Sequence, residues 1–292
     1  MDQQLMTELE HIALGAALAA NKVILDVYDG SVDVELKEDG SPVTIADRKA
    51  DKTIRDHLKN TGYPVVSEES NIPSFDTRSS WPYYWLADPL DGTKEFINKN
   101  GEFTVNIALI NSHKQPVLGI ITAPVLRLAW TGSIYHPPIK MIAKNKAGSP
   151  GEDTLMTLIP DAKEEDGNAE ATERKTVPLT VFTSRSHPDS QTLALHKKLA
   201  KQYGDLHIET LGSSLKFCYL AGQSSGLYPR FSPTCEWDTA AGHAILKSAG
   251  GEVINLHTRE PLTYNKKDLR NPPFVAFAKS TNSDSFFSEF PF

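Results

Sequence analysis

Cysteine is nearly missing: Cys218 and Cys235 are the only two in 292 residues, and neither has a Cys-x-x-Cys partner or a nearby histidine at ligand spacing. That argues against a zinc site and suits two free thiols in a reducing cytoplasm. Basic residues are also in deficit, with 30 Lys and Arg against 37 Asp and Glu, a net charge of −7 and a pI near 5.7. A nucleic-acid backbone binder would normally show a basic face, so no nucleic-acid partner is expected. An anionic small molecule would meet a repulsive field, which bound cations or local Lys/Arg must overcome. Long apolar runs are lacking too. Ile12 to Ala20 is preceded by Asp2, Glu8 and Glu10 without Lys or Arg, the wrong sign for a secretory n-region. No run approaches transmembrane length, and the expectation is a soluble or at most peripheral, cytoplasmic protein.

What is present is an ordinary globular composition, 39% hydrophobic and 23% charged, on a chain long enough for two cores. Leu5, Leu9, Ile12, Ala16 and Val23 recur at helical spacing and predict an amphipathic first helix facing a core. Val32 to Leu36 alternates as a half-buried strand, and Lys37 to Ser41 reads as a turn. Ala46, Ala50, Ile54 and Leu58 predict a second helix, with Asp47 in its first turn, where the macrodipole favours a carboxylate. Pro64-Val65-Val66-Ser67 is an apolar strand running straight into Glu68 and Glu69.

Phe103 to Ile110, Pro116 to Ala123 and Arg127 to Gly132 read as successive strands on short turns. This meander predicts an antiparallel sheet. Beyond Thr176, strands alternate with helices through Leu193, Leu195 and Leu199, through Leu215, Phe217 and Leu220, and through Ala241, Ile245 and Ala249. Such alternation predicts a mostly parallel second sheet. Between them the chain is polar, charged and aperiodic. The expected division is therefore residues 1–143, an α+β domain; 144–175, a mobile charged junction; and 176–292, an α/β domain.

The stretch around which the rest is organised is Trp85-Leu86-Ala87-Asp88-Pro89-Leu90-Asp91-Gly92-Thr93. An apolar strand ends in two aspartates bracketing Pro-Leu. Pro89 cannot extend the ladder, and Gly92 permits a tight turn. Both carboxylates emerge on a stiff loop with the Leu90 carbonyl between them, the oxygen donors that Mg²⁺ prefers. The amides of Gly92 and Thr93 could point at an anion. With Asp47, Glu68 and Asp238 at other strand ends or helix starts, the acids would repel strongly unless cations hold them. Two or more divalent ions would polarise a phosphoryl group and lower the pKa of a water.

The set Asp47, Glu68-Glu69, Asp88-Pro89-Leu90-Asp91-Gly92-Thr93 and Trp237-Asp238-Thr239-Ala240-Ala241-Gly242 resembles the signature of the lithium-sensitive, Mg²⁺-dependent inositol-monophosphatase-like phosphatases. Within that superfamily the second half is similar to the bacterial 3′(2′),5′-bisphosphate nucleotidases of sulfate assimilation. Gly212 to Cys218, Leu227 to Phe231 and Leu269 to Phe274 carry that likeness.

The resemblance implies a layered αβαβα sandwich. It also implies a substrate, 3′-phosphoadenosine 5′-phosphate, cleaved to AMP and phosphate, with the sulfated parent as a second. Two or three Mg²⁺ per site are implied. Glu68, Asp88 and the Leu90 carbonyl would hold one, Asp88, Asp91 and Asp238 another, and a third would lie near Asp47 and Glu68. Asp47 with Thr93 would deprotonate a water that attacks in line without a phosphoenzyme. Substrate contacts would come from Glu68, Gly92, Thr93, Asp238, Ser213, Lys216 and Arg230, with His187 beside the base.

Three rival readings can be weighed against these residues. An aspartyl-phosphate mechanism would need a nucleophilic Asp where Pro89 stands, so it fails. An inositol or sugar monophosphatase and a non-catalytic nucleotide or metal sensor both remain. The sequence leaves room for a homodimer.

Overall fold

In a computed structural model the described residues are 1–30, 34–36, 42–145, 153–158, 179–186 and 189–290. The first part contains α1 (Gln3–Tyr28), β1 (Val34–Leu36), β2 (Pro42–Thr44), α2 (Ile45–Leu58), β3 (Val65–Ser67), α3 (Phe75–Arg78), β4 (Tyr83–Asp91) and α4 (Thr93–Ile97). The meander follows as β5 (Thr104–Asn111), β6 (Pro116–Ala123), β7 (Leu128–Ser133), β8 (His136–Asn145) and β9 (Asp153–Leu158). The last part contains β10 (Leu179–Ser184), α5 (Ser190–Tyr203), β11 (Leu206–Leu211), α6 (Leu215–Ala221), β12 (Gly226–Arg230), α7 (Glu236–Ser248), β13 (Glu252–Asn255), β14 (Phe274–Phe277) and α8 (Ser283–Glu289).

Five layers result. Strands β3 to β9 form one sheet in chain order, parallel at β3–β4 and antiparallel everywhere else. Because successive side chains of a strand point to opposite faces, Trp85 and Ala87 of β4 join α1 and α2 in one core, while Tyr84 and Leu86 join α6 and α7 in another. That two-sided burial explains why β4 and β5 read as near-continuous apolar runs. The other face of the α6–α7 layer meets a second sheet, through Phe217, Leu220 and Leu246 against Phe182, Tyr228, Phe274 and Ala276. Beyond that sheet, α5 and α8 close the stack with Leu195, Leu199, Phe286 and Phe287. The αβαβα order is the one expected.

Three local readings change. Helix α1 runs 26 residues and is by length and composition apolar enough to span a bilayer, contrary to the expectation that no such run exists. Its stripe of Met6, Leu9, Ala13, Ala16, Ala17, Ala20 and Ile24 is instead buried in the first core. Of the three leucines that mark α5, Leu193 is 57% exposed, and Leu195 and Leu199 carry the packing. The second sheet has the order β11-β10-β12-β14-β13. Its first three strands are parallel, as strand–helix alternation demands, but β14 and β13 return antiparallel.

Within the expected junction 144–175, Asp153–Leu158 is a strand that extends the first sheet beyond β8. Its Thr-Leu-Met-Thr-Leu core suits a strand better than an aperiodic linker. The remainder, 146–152 and 159–175, lies outside the described residues, as does the Lys37 to Ser41 turn.

Candidate active site

Three separate segments deliver Glu68, Asp88, Asp91 and Asp238 to one cleft of about 510 Å³ lying where the two sheets and α7 meet, and Asp47 stands behind Thr93 on its wall. Strand β4 carries two of them. Its pairing with β5 holds register up to Asp88↔Asn106, slips, and resumes at Asp91↔Thr104. A bulge of this kind re-aims side chains at a sheet end, here with Pro89 inside it. The Leu90 N–H donates to Asp88 Oδ1 at 3.0 Å, fixing that carboxylate's rotamer. Gly92 then adopts φ +91, and a Cβ there would lie 3.2 Å from Glu95 Oε2 and 3.3 Å from Ser213 Cβ, so only glycine fits the turn into α4.

Glu68 follows β3, whose parallel pairing with β4 brings it beside Asp88. Ligand oxygens of Glu68, Asp88 and Asp238 lie within 4.8 Å of one another. Asp91 and Leu90 line the same cleft.

Asp47 and Asp238 are placed by a shared device. Each stands at the third helical position and turns one oxygen back to its helix start. Asp47 Oδ2 accepts from the Thr44 N–H at 2.8 Å and from Thr44 Oγ1 at 2.6 Å. Asp238 Oδ2 accepts from the Cys235 N–H at 2.7 Å. The second oxygen of each is thereby set at a fixed angle. For Asp47 it accepts from Thr93 Oγ1 at 3.4 Å. The start of α7 is itself pinned by fully buried Glu236, which takes the N–H groups of Asn265 and Lys266 and the Lys266 ammonium.

Electrostatics say what the carboxylates' surroundings favour. Burial, and then the charges of Glu68, Asp91 and Asp238, push Asp88 well above the usual carboxylate range. Burial, then Asp91 and Glu68, does the same to Asp238. Asp91 is pushed up to about 6, chiefly by burial, although Lys216 and Asn106 oppose the shift. Asp47 is raised by burial and by Glu69, with the Thr44 hydrogen bonds working against it. Such a cluster fits a hard divalent cation, whose charge would replace mutual repulsion by attraction. The donors are all oxygen. The nearby Cys235 thiol is pushed up to about 12 by burial and the surrounding acids, so without an ion it stays protonated.

The opposite wall belongs to the second sheet and α6, and carries Ser213, Lys216 and Arg230. Arg230 is 8% exposed; Nη1 bonds Ser184 Oγ, while Nε is buried without a partner. A guanidinium that lines a cleft with one N–H left unpaired suits an anionic ligand. Lys216 is buried, and its ammonium donates to the carbonyls of Leu211 (3.2 Å) and Ser213, 5.3 Å from the Tyr228 ring centre. It is neither a solvated cation nor a wholly free one. His187, the expected base contact, lies outside the described residues.

A polar triangle behind Asp91 escapes a reading by sequence. Thr104 Oγ1, Ser214 Oγ and Asn106 Oδ1 lie within 2.7–3.1 Å of one another, and Asn106 Nδ2 reaches Asp91 Oδ2 at 3.4 Å. The only signal for it is an Asn in the middle of an apolar strand, a residue that needs a partner when buried.

The chain matches the model described as the inositol monophosphatase family over residues 5–285. The 3′(2′),5′-bisphosphate nucleotidase CysQ of Escherichia coli K12 is 42% identical over 261 residues, 87% of this chain and 94% of that one. A crystal structure of CysQ from Bacteroides thetaiotaomicron, described as a bacterial member of the same family, is 39% identical. It superposes with a TM-score of 0.76 over 92% of this chain and 97% of that one. An inositol monophosphatase from Zymomonas mobilis shares the fold, at a TM-score of 0.65 and 22% identity over 94% of each chain.

Proposed function

The chain belongs to the inositol monophosphatase family, and from that premise we propose that it is a cytoplasmic, Mg²⁺-dependent 3′(2′),5′-bisphosphate nucleotidase. It removes the 3′-phosphate of 3′-phosphoadenosine 5′-phosphate to give AMP and phosphate, with the sulfated parent as a second substrate. The observation that carries this reading is the cleft's two-sided chemistry. Clustered acids stand on one wall, and the buried, unpartnered Arg230 Nε stands on the other. A monophosphate needs only the first wall; a second phosphate gives the second wall an occupant.

Glu68, Asp88, Asp91, Asp238 and the Leu90 carbonyl would hold the ions, two or three in number. Bound Mg²⁺ would polarise the phosphoryl group and lower the pKa of a water. The chain's own residues do the rest. Thr93 Oγ1 gives its proton to Asp47 Oδ1, which leaves the hydroxyl oxygen free to accept a proton from the attacking water. The Thr44 bonds keep Asp47 from turning away. The Gly92 and Thr93 amides accommodate phosphate oxygens, and Asn106 holds Asp91 in place. Ser213, Lys216, Arg230 and His187 fall to the 176–292 domain and read the nucleotide, while 1–143 supplies the reacting side and Asp238 joins the two.

The test is phosphate release from the bisphosphate, 3′-AMP and inositol 1-phosphate, with Mg²⁺ and with EDTA. The expected result is Mg²⁺-dependent turnover with kcat/KM at least about tenfold higher for the bisphosphate, a gap of about 1.4 kcal/mol. Equal values for inositol 1-phosphate would retire the nucleotide reading, and tight binding without release would point to a sensor.

A further inference from the structure

Two glutamates of the first domain have no part in the chemistry above: Glu95 in α4 lines the cleft, and Glu102, in the loop before β5, bonds Arg185 and Gly212, which line it. Both are engaged by the second sheet. Glu102 Oε2 accepts from the Gly212 N–H and from Arg185 Nε, each at 2.7 Å, and Oε1 accepts from Arg185 Nη2 at 2.7 Å. The Glu102 main-chain carbonyl accepts from Ser213 Oγ at 2.9 Å. Arg185 Nη2 also donates to the Thr210 carbonyl at 2.9 Å, which ties the end of β10 to the end of β11. Glu95, 4% exposed, takes the Ser186 hydroxyl.

Backbone geometry shows how closely these parts are fitted. A Cβ on Gly212 would stand 2.7 Å from the Glu102 carbonyl oxygen, 2.9 Å from Glu102 Cβ and 2.9 Å from Glu95 Cγ. No side chain can separate the two segments there. The next residue, Ser213, holds φ +42, a conformation that non-glycine residues adopt only when their surroundings enforce it. Its hydroxyl bond to the Glu102 carbonyl is one such restraint. The Lys216 ammonium, donating to the carbonyls of Leu211 and Ser213, closes the turn from its other side.

We propose that Glu102 is a positioning residue for nucleotide recognition, clamping the Gly212–Ser213 turn and Arg185 against the phosphate-holding loop so that the two walls of the cleft keep a fixed separation. This role rests on the bisphosphate reading above. A bisphosphate bridges both walls, so its binding depends on their spacing. A monophosphate engages the metal side alone and tolerates a shifted second wall. A carboxylate is well shaped for such a clamp, because a bidentate Arg pair sets orientation while the same group still accepts a main-chain N–H. The bonds to Arg185 and Gly212 hold the Glu102 carboxyl below the usual range despite its burial, so the clamp stays charged at neutral pH.

The experiment measures kcat and KM for the 3′,5′-bisphosphate and for 3′-AMP in wild type, Glu102→Ala, Glu102→Gln and the double variant Glu102→Ala/Arg185→Ala. Because each variant is compared with itself on two substrates, a partly unfolded fraction cancels from the ratio. Glu102→Ala should lower the bisphosphate-to-monophosphate ratio of kcat/KM at least tenfold, mainly through KM. Glu102→Gln, whose amide oxygen can still accept from Gly212, should recover part of the loss. Adding Arg185→Ala to Glu102→Ala should cost less than twofold more. A wild-type ratio near one removes the bisphosphate reading and the clamp with it. A high wild-type ratio that survives Glu102→Ala, or that falls only through kcat, overturns the clamp and leaves the function standing.

Discussion

Asp91→Asn should abolish activity and yet stabilise the metal-free protein. Asp91 is pushed up to about 6 from an ordinary value of 3.8, chiefly by burial. At 1.36 kcal/mol per pKa unit, keeping it ionised at pH 8 costs the folded state about 3 kcal/mol. Asp91 keeps some surface open to the cleft, so we discount this to about 1–3 kcal/mol. The sign follows from a raised folded-state pKa. The penalty is absent well below the unfolded value near 4, grows through the interval, and is complete above about 6.

Asparagine removes the charge and keeps an oxygen for the Asn106 amide, which now reaches Asp91 Oδ2 at 3.4 Å. Thermal unfolding in EDTA at pH 8 should therefore place the variant roughly 2–12 °C above wild type, at about 2–4 °C per kcal/mol. At pH 5 the gap should shrink to about half. Saturating Mg²⁺ should close or reverse it, since an ion at about 100 times its Kd adds about 2.7 kcal/mol to the wild type alone. Activity should fall by at least about 100-fold, the scale on which lost transition-state electrostatics act. A variant less stable than wild type at pH 8 in EDTA would refute the idea that keeping this buried carboxylate charged calls for a cation.

Three further outcomes are expected. Thr93→Val removes the hydroxyl that bonds Asp47 and should lower kcat by about 10²-fold or more with little change in KM; a KM effect alone would assign Thr93 to binding. Arg230→Met should raise KM for the bisphosphate roughly tenfold to 100-fold, corresponding to about 1.5–3 kcal/mol for charge-assisted hydrogen bonds, and leave inositol 1-phosphate kinetics nearly untouched. His136, raised mainly by its 2.8 Å hydrogen bond to Glu10, should stabilise the fold below about pH 6.5, with the benefit lost as pH rises through its folded-state pKa. Burial works against the lowering of Glu10, but His136 and Thr131 prevail, so the pair also fades in acid. Comparing His136→Gln with wild type by thermal melts at pH 6 and pH 8.5 should show a difference of at most about 2 °C at the lower pH and none at the higher.

The parts legible in the sequence were those written into contiguous residues. The bulge at Asp88–Asp91 announces itself through Pro89 and Gly92, and the helix starts at Asp47 and Asp238 through the residues around them. The meander and the strand–helix alternation after it are legible in the residues themselves, whereas the five-layer order was implied by the family resemblance. What stayed hidden depends on partners far away in the chain. Glu102 looks like a surface acid until Gly212, more than a hundred residues on, is brought against it. Lys216 reads as a free cation because nothing local shows its ammonium turned to the carbonyls of Leu211 and Ser213. The antiparallel return of β14 beside β12 is likewise a choice among sheet edges, made by packing on α6 and α7 and not by local pattern. Helix α1 hides its apolar stripe only because α2 and the first sheet are there to cover it.

If acids from distant segments converge to hold divalent metal where phosphate is cleaved, the metal itself should be visible there. Crystals grown with Mn²⁺ in place of Mg²⁺ would reveal it in an anomalous-difference map. Strong density is predicted between Glu68, Asp88 and Asp238, with Asp91 at its edge. An empty cleft under saturating Mn²⁺, with the ion bound elsewhere on the chain, would contradict it.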